Sequence, residues 1–258
     1  GSAGIDKSGA GTMLLSGTNT YSGATSVREG TLIAAGGVTN RLPAGTPVTL
    51  GGGTTSGLLQ LGNASGELMQ TIGDLATSGT GSSNAVVGGH SNLGTLTVNQ
   101  TGTSVFSGNL GGVEPNQNNL HLVKTGAGDL TLAGSNSLAG TVVVNAGILS
   151  VSGSGLLGTG VQSVSVADGA AFNLRHGGTI QQFAGTGNVV TLGSSTGALL
   201  GFTIDGAGND RINLIAFLRS ESVDFVHVRF GGDGGGEDLT AIVAHGDDWP
   251  GVSSEETP

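Results

Sequence analysis

The stretch KSGAGTMLLSGTN at residues 7–19 returns, with a few substitutions, as KTGAGDLTLAGSN at residues 124–136. One offset of 117 positions relates the two copies, and the match continues beyond them without a gap. The pairs that follow are Gly23 with Gly140, Val27 with Val144, Gly30 with Gly147, and Leu32 with Leu149. An internal repeat of short apolar runs and glycines predicts a stacked repeat protein. Such architectures usually work through shape and surface rather than through a catalytic pocket.

The composition is that of an ordered chain rich in tight turns. The 258 residues include 52 glycines but only 5 prolines, which excludes collagen. Charged residues make up 10% of the chain and mean hydropathy is +0.16, whereas disordered chains pair low hydrophobicity with high charge. The chain has no cysteine. An extracellular protein of this size therefore needs another source of stability, which stacked strands can supply.

Short runs of Val, Leu, Ile and Thr are separated by Gly, Asn and Ser, which predicts many short strands joined by tight turns. Residues 141–145 and 162–166 show the alternation expected of half-buried strands. The predicted strands lie at 12–16, 25–28, 31–34, 47–50, 58–61, 85–87, 95–98, 120–123, 129–133, 141–145, 148–151, 162–166, 170–174, 189–192 and 199–204. A short helical turn is expected only at residues 213–220.

These features predict an all-β fold, a parallel β-helix in which each inward side chain stacks on its equivalent in the next coil. Aromatic residues are only 3% of the chain, which fits a core of aliphatic stacks. We expect a first solenoid block at residues 1–118 and a second at 119–214. The segment 215–258 is predicted to be a distinct acidic cap or docking segment, because acids and phenylalanines concentrate towards this end.

Glycine and asparagine are expected at the corners between strands, because a sharp corner often needs a residue with positive φ. Asn19 and its equivalent Asn136 are assigned a structural corner or ladder role rather than a ligand role. The predicted corner residues are Gly17, Asn19, Gly23 and Gly30 in the first copy, and Gly134, Asn136, Gly140 and Gly147 in the second.

Residues 9–32 resemble the passenger-associated strand repeat of bacterial autotransporter proteins. Residues 126–149 resemble it as well, with Leu138 in the place of Tyr21, and residues 103–108 are similar to the segment that often precedes such a repeat. The resemblance implies a single-stranded, right-handed parallel β-helix that is secreted by a Gram-negative-type bacterium and is extracellular or displayed at the cell surface. The family repeat itself carries no catalytic residues.

The charge of the chain excludes some partners. A net charge of −10 argues against binding nucleic acid through its phosphates. No run of 18 apolar residues is present, so no transmembrane helix is predicted.

No catalytic residues and no cofactor site are predicted. Asp74, Glu114, Asp129 and Asp168 are isolated along the sequence, and the five histidines have no zinc-ligand spacing. Residues 205–212 resemble a single calcium-binding nonapeptide, and residues 231–239 are a looser second example. The weak calcium candidates are Asp205, Asp210, Asp233 and Asp238. A plain acidic turn explains these segments more simply, because such calcium sites need adjacent turns.

The predicted function is that of a non-catalytic extracellular β-solenoid that associates with itself end to end into a fibre or filament. The first and last coils of a parallel stack expose strand edges that pair with other chains, and contacts that do not close produce filaments. The expected interface joins Ile5 and Leu14 of one copy to Phe217, Phe225 and Phe230 of the next. One alternative is an adhesin that binds glycan or a host cell-surface protein. The other is a polysaccharide lyase or hydrolase built on a β-helix.

Overall fold

The computed structural model describes residues 3–152, 157–158, 160–161 and 163–176. Beyond them it describes the strands at 181–182, 189–192, 199–204, 212–213 and 217–219. Every regular element in these residues is a strand. The first thirteen are β1 (Ile5–Lys7), β2 (Thr12–Leu15), β3 (Thr25–Val27), β4 (Gly30–Ala34), β5 (Val38–Thr39), β6 (Val48–Leu50), β7 (Gly57–Leu61), β8 (Leu68–Ile72), β9 (Leu75–Thr77), β10 (Ala85–Gly88), β11 (Gly94–Asn99), β12 (Thr103–Phe106) and β13 (Asn109–Leu110).

The second half of the chain continues in the same way. Its strands are β14 (Leu120–Thr125), β15 (Asp129–Leu132), β16 (Val142–Val144), β17 (Ile148–Val151), β18 (Ser163–Val166), β19 (Ala171–His176), β20 (Gln181–Gln182), β21 (Val189–Leu192), β22 (Leu199–Ile204), β23 (Ile212–Asn213) and β24 (Phe217–Arg219). The helical turn expected at 213–220 is wrong, because Phe217–Arg219 is a strand paired with β21.

All pairings between these strands are parallel, so the described chain is a β-solenoid, as predicted. The first side of the stack consists of the sheets β1-β3-β6-β9 and β12-β15-β17-β19-β22, and β12 packs against β9 where the two meet. The second side contains β2-β4-β7-β10-β13, and in chain order the pair β20-β23 follows it. The third side is one eight-stranded sheet, β5-β8-β11-β14-β16-β18-β21-β24, and it includes strands from both predicted blocks.

Register explains how the core forms. On the third side Leu96 pairs with Leu122, Leu122 with Val142 and Val142 with Val164, and all four side chains are buried. The residues between them along each strand point outward and are partly exposed. Each apolar column is therefore produced by the two-residue alternation that the sequence shows, repeated at each coil.

Gln70 is a polar residue at an inward position of the third side. Gln70 lies in the same column as Leu96 and is buried. Its carbonyl oxygen accepts hydrogen bonds from the backbone N–H groups of Arg41 and Leu42, at 2.9 and 3.0 Å. Its amide donates to the carbonyl oxygens of Leu42 and Thr71, at 3.0 and 2.7 Å. The side chain thus satisfies the corner after β5, where the sheet ends and the backbone lacks a ladder partner.

The two copies of the repeat occupy different sides of the stack. In the first copy, β1 and β3 belong to the first side, and β2 and β4 belong to the second. In the second copy, β14 and β16 belong to the third side, and β15 and β17 belong to the first. The same motif therefore forms two different corners of the solenoid, which shows that its geometry is set locally.

Candidate docking rim and surface loop

A buried lysine closes the corner that the repeat forms. Lys124 is the third inward residue of β14 and is fully buried. Its ammonium group donates to the carbonyl oxygens of Thr125, Gly126 and Ala146, at 2.9, 2.8 and 3.0 Å. Burial lowers the pKa of Lys124, and the nearby carboxylates of Asp129 and Asp74 oppose that shift. The lysine ties the turn after its own strand to the turn of the following coil.

Lys7 repeats this arrangement in the first copy. Its ammonium group donates to the carbonyl oxygens of Ser8, Gly9 and Glu29. The third of these bonds, of 2.9 Å, again reaches the following coil. Sequence reasoning assigned neither lysine a role. The available signal was the position of Lys7, two residues after the inward Ile5 on a strand of alternating pattern.

Among the predicted corner glycines, Gly30 and Gly147 have positive φ angles of 70° and 65°. A Cβ on Gly30 would overlap the carbonyl oxygens of Gly9 and Gly11, and one on Gly147 would overlap those of Gly126 and Gly128. The remaining predicted corner residues are absent from the described positions with positive φ. They are Gly17, Asn19, Gly23, Gly134, Asn136 and Gly140.

The two asparagines act as backbone caps. Asn19 donates to the carbonyl oxygen of Gly17 at 3.1 Å and to that of Arg41 at 2.7 Å. Asn136 donates to the carbonyl oxygen of Gly134 at 3.1 Å, and its own side-chain oxygen accepts the N–H of Leu110 at 2.8 Å. Asn136 thus also contacts the coil before it, through the hydrogen bond from Leu110.

The N-terminal rim, defined as residues 8–19, is an edge of the described stack. Leu14, predicted to be an interface residue, is 54% exposed. Its register partner is Ile33 on the outward face of the second side. Met13 is 38% exposed and is in register with the buried Leu32, so it forms the open end of a core column. Ile5 is partly buried and packs against the core. The residue at the open end of the core is therefore Met13, which the sequence reasoning missed.

Among the other predicted interface and calcium residues, Phe217 lies within the described residues. Phe217 begins β24, the last described strand of the third side, in register with Val189. Phe225 and Phe230 lie outside the described residues, as do the calcium candidates Asp205, Asp210, Asp233 and Asp238. Their assignments, and the acidic cap at 215–258, stay predictions.

A second surface feature is the projecting loop, residues 111–119, which connects β13 to β14. Backbone hydrogen bonds tie it to the coils on both sides, from Gly88 N–H to the Gln117 carbonyl at 2.9 Å and from Ala139 N–H to the Asn118 carbonyl at 2.9 Å. Asn119 also donates to the carbonyl oxygen of His90 at 3.0 Å. On this anchored loop Val113 is 96% exposed. The fold therefore holds an apolar side chain in solvent.

The coils next to the loop carry polar groups at the same corner. His90 Nδ1 lies 3.3 Å from a carboxylate oxygen of Glu67, which also accepts a 3.2 Å hydrogen bond from Asn92. Hydrogen bonds from its own backbone and from Asn92 lower the pKa of Glu67. These polar groups lie at the corner to which Asn119 anchors the projecting loop.

Stacking brings together two carboxylates that are far apart in sequence. Asp74 accepts hydrogen bonds from the backbone N–H of Thr101 at 2.6 Å and of Gly102 at 3.5 Å. Asp129 donates its backbone N–H to the Gly102 carbonyl at 3.0 Å. Both carboxylates act on Lys124. They serve the corner, and the described residues contain no group of three or more His, Asp or Glu side chains able to hold a metal ion.

Comparison with known proteins identifies the class. The Passenger-associated-transport-repeat family matches residues 5–34 and 122–151, which are the two copies of the repeat. A curated relative from Brucella suis biovar 1 (strain 1330), named Adhesin BmaC autotransporter, is 31% identical over 233 residues. That similarity covers 87% of this chain but 6% of the relative, so the chain spans a small part of the relative's length. No solved structure matches the chain.

The chain therefore carries two passenger-associated transport repeats, and the predicted resemblance to autotransporter passenger proteins is confirmed. This class implies secretion and a cell-surface location in Gram-negative bacteria, and it supports an extracellular structural or adhesin role. Within the part of the chain that the structure describes, no helix is long and apolar enough to cross a lipid bilayer.

Proposed function

We propose that this chain is a non-catalytic segment of a cell-surface adhesin, in which the solenoid is a rigid spacer that presents a binding surface. The continuous third side carries the proposal. Its eight parallel strands, about 4.8 Å apart, extend for roughly 34 Å along the stack. The curated relative is named an adhesin, which also supports the proposal.

The projecting loop is the surface we propose for binding. Its backbone is already fixed by bonds to Gly88 and Ala139, so little conformational entropy remains to be lost when a partner binds. Val113 supplies an apolar anchor, and Glu114 and Asn118 beside it are exposed and polar. An apolar centre with a polar margin is the usual anatomy of a protein-binding patch.

Adhesion of protein-coated beads to cultured epithelial cells tests this function. We expect beads carrying the full chain to adhere more than uncoated beads, and Val113→Ser to reduce adhesion severalfold. Val105→Ser is the matched control, because Val105 is also exposed, at 52%, but lies on the first side of the stack. Adhesion equal to that of uncoated beads, or equal losses for the two variants, would refute the proposal.

End-to-end self-association is the second candidate, and the exposed apolar side chains of Met13 and Leu14 favour it. In this version Met13 and Leu14 of one copy meet residues 217–243 of another. Sedimentation velocity over a wide concentration range should show growing assemblies that Met13→Asp reduces. Monomers alone at high concentration, by sedimentation and by negative-stain microscopy, would exclude the fibre.

A further inference from the structure

The chain contains both a covered and an uncovered version of the same motif. In the second copy β14 lies on β11 and β15 lies on β12, so residues 94–108 form a coil beneath the repeat. In the first copy β1 and β2 are edge strands of their sheets. The contacts that residues 94–108 make with the second copy therefore indicate which contacts a further coil could make with the first copy.

Two pairs of equivalent glycines differ between the covered and the uncovered copy. A Cβ on Gly128 would overlap the carbonyl oxygen of Gly102, and a Cβ on Gly134 would overlap that of Gly108. Their equivalents are Gly11 and Gly17, and a Cβ on either would have no atom within 4 Å. Neither Gly11 nor Gly17 is among the described glycines with positive φ. In the described structure these two positions need no glycine, whereas a coil beneath them would require one.

The hydrogen-bonding groups of the rim differ in the same way. In the second copy the N–H groups of Asp129 and Ala133 donate to the carbonyl oxygens of Gly102 and Phe106 in the coil beneath, at 3.0 Å each. Thr12 and Ser16 are the equivalent residues of the first copy. On β2 the carbonyls of Gly11 and Leu15 bond to the next coil, so by alternation the N–H groups of Thr12, Leu14 and Ser16 face away from it.

The apolar contacts follow. Leu130 is fully buried where its equivalent Met13 is 38% exposed. Beneath the second copy, Phe106 is in register with Leu132, the equivalent of Leu15, and is fully buried. A coil that covers the rim would therefore bring a large apolar side chain against Leu15 and would enclose Met13.

We propose that the N-terminal rim is a docking surface for one further parallel β-solenoid coil with the pattern of residues 94–110. Such a coil places backbone carbonyls against Gly11 and Gly17, accepts the N–H groups of Thr12, Leu14 and Ser16, and donates an N–H to the side-chain oxygen of Asn19. Gly17 acts as a recognition residue, because any side chain there would block the approach of the coil.

The chain's own coil is the probe. Residues 94–121 are joined directly in front of Ile5, which reproduces the spacing that precedes Leu122, and the fused chain is compared with the unaltered one by hydrogen exchange. We expect the amides of Thr12, Leu14 and Ser16 to become protected by about tenfold or more. Gly17→Ala should remove that protection in the fused chain and leave the unaltered chain unchanged. No gain in protection in a folded fused chain, or equal effects of Gly17→Ala in both, would overturn the proposal.

If the fused chain does not fold, a peptide of residues 94–121 is added to the intact chain. Protection of the same three amides is expected, and Gly17→Ala should weaken peptide binding by about tenfold or more, since overpacking is costly. A scrambled peptide is the control, and equal protection by both peptides would contradict the proposal. These results are independent of the adhesion and sedimentation assays, so either function can fail while the rim still accepts a coil, and the reverse also holds.

Discussion

Replacing Lys124 by Met tests the idea that the repeated motif closes its corner through a buried ammonium group. The change keeps an unbranched apolar stem that ends at Cε, and it removes the three bonds to Thr125, Gly126 and Ala146. Hydrogen bonds to a charged donor contribute about 1.5–3 kcal/mol each. The cost of dehydrating the ammonium group, which also lowers its pKa, offsets part of that gain. If it offsets about half, the net loss is ~2–4 kcal/mol.

Lys7→Met is the matched control. Lys7 makes equivalent bonds, but two of its acceptors belong to Ser8 and Gly9, which are exposed at the rim. Water can replace the lysine there, so we expect a loss of about 1 kcal/mol or less. The difference between the two losses of free energy therefore measures how much more the lysine stabilises its corner when a further coil covers that corner.

Hydrogen exchange suits this comparison, because solenoid coils unfold locally and one global free energy of unfolding is a poor description. Opening free energies of β14–β16 in Lys124→Met and of β1–β3 in Lys7→Met are compared with those of the unaltered chain. Equal losses in the two variants, or a gain of stability in Lys124→Met, would refute the reasoning.

Further variants address the remaining contacts. Gly134→Ala should lower the opening free energy of β15 by about 1–3 kcal/mol through overlap with the coil beneath, while Gly17→Ala should change that of β2 by no more than ~0.5 kcal/mol, both by hydrogen exchange. Gln70→Leu should cost about 2–4 kcal/mol in the same assay, because it leaves buried backbone groups without partners. Since the folded-state pKa of Lys124 lies below its ordinary 10.5, the unfolded chain binds more protons in that window, and stability should rise with pH up to about 10.5. Lys124→Met should lose this rise. Burial raises the pKa of Tyr21, so this residue makes stability fall as the pH rises above 10.0. Tyr21→Phe is the control and should remove that fall.

The strands of the repeat were predictable because their alternation is strict. β15 and β16 each pair in parallel with strands of the neighbouring coils, and each buries every second side chain, as their sequences indicate. Several strands were missed. β5 and β13 are two residues long and carry no periodicity. β1, β9 and β12 are three or four residues long, and β8 has the polar Gln70 at an inward position. Their pairing comes from the coils beside them, and a single sequence cannot show that.

The site was less predictable than the fold. The inward position of Met13 could have been predicted, because its equivalent Leu130 is an inward residue of a clearly alternating strand. Lys7 and Lys124 were missed because a lysine in an apolar strand reads as a surface residue, and its role depends on carbonyls in the following coil. The proximity of Asp74 to Asp129 likewise arises only from stacking.

Disulfide trapping tests most directly whether successive coils lie in parallel register. The sequence contains no cysteine, so only the introduced cysteines can form a disulfide. Thr97 and Val123 are partners on adjacent strands β11 and β14, and Val143 is the partner of Val123 on β16. Adjacent strands are about 4.8 Å apart, within the reach of a disulfide, whereas strands two steps apart are not. The account predicts that Thr97→Cys with Val123→Cys forms the bond on mild oxidation and that Thr97→Cys with Val143→Cys does not. The opposite outcome would contradict the stacked solenoid itself.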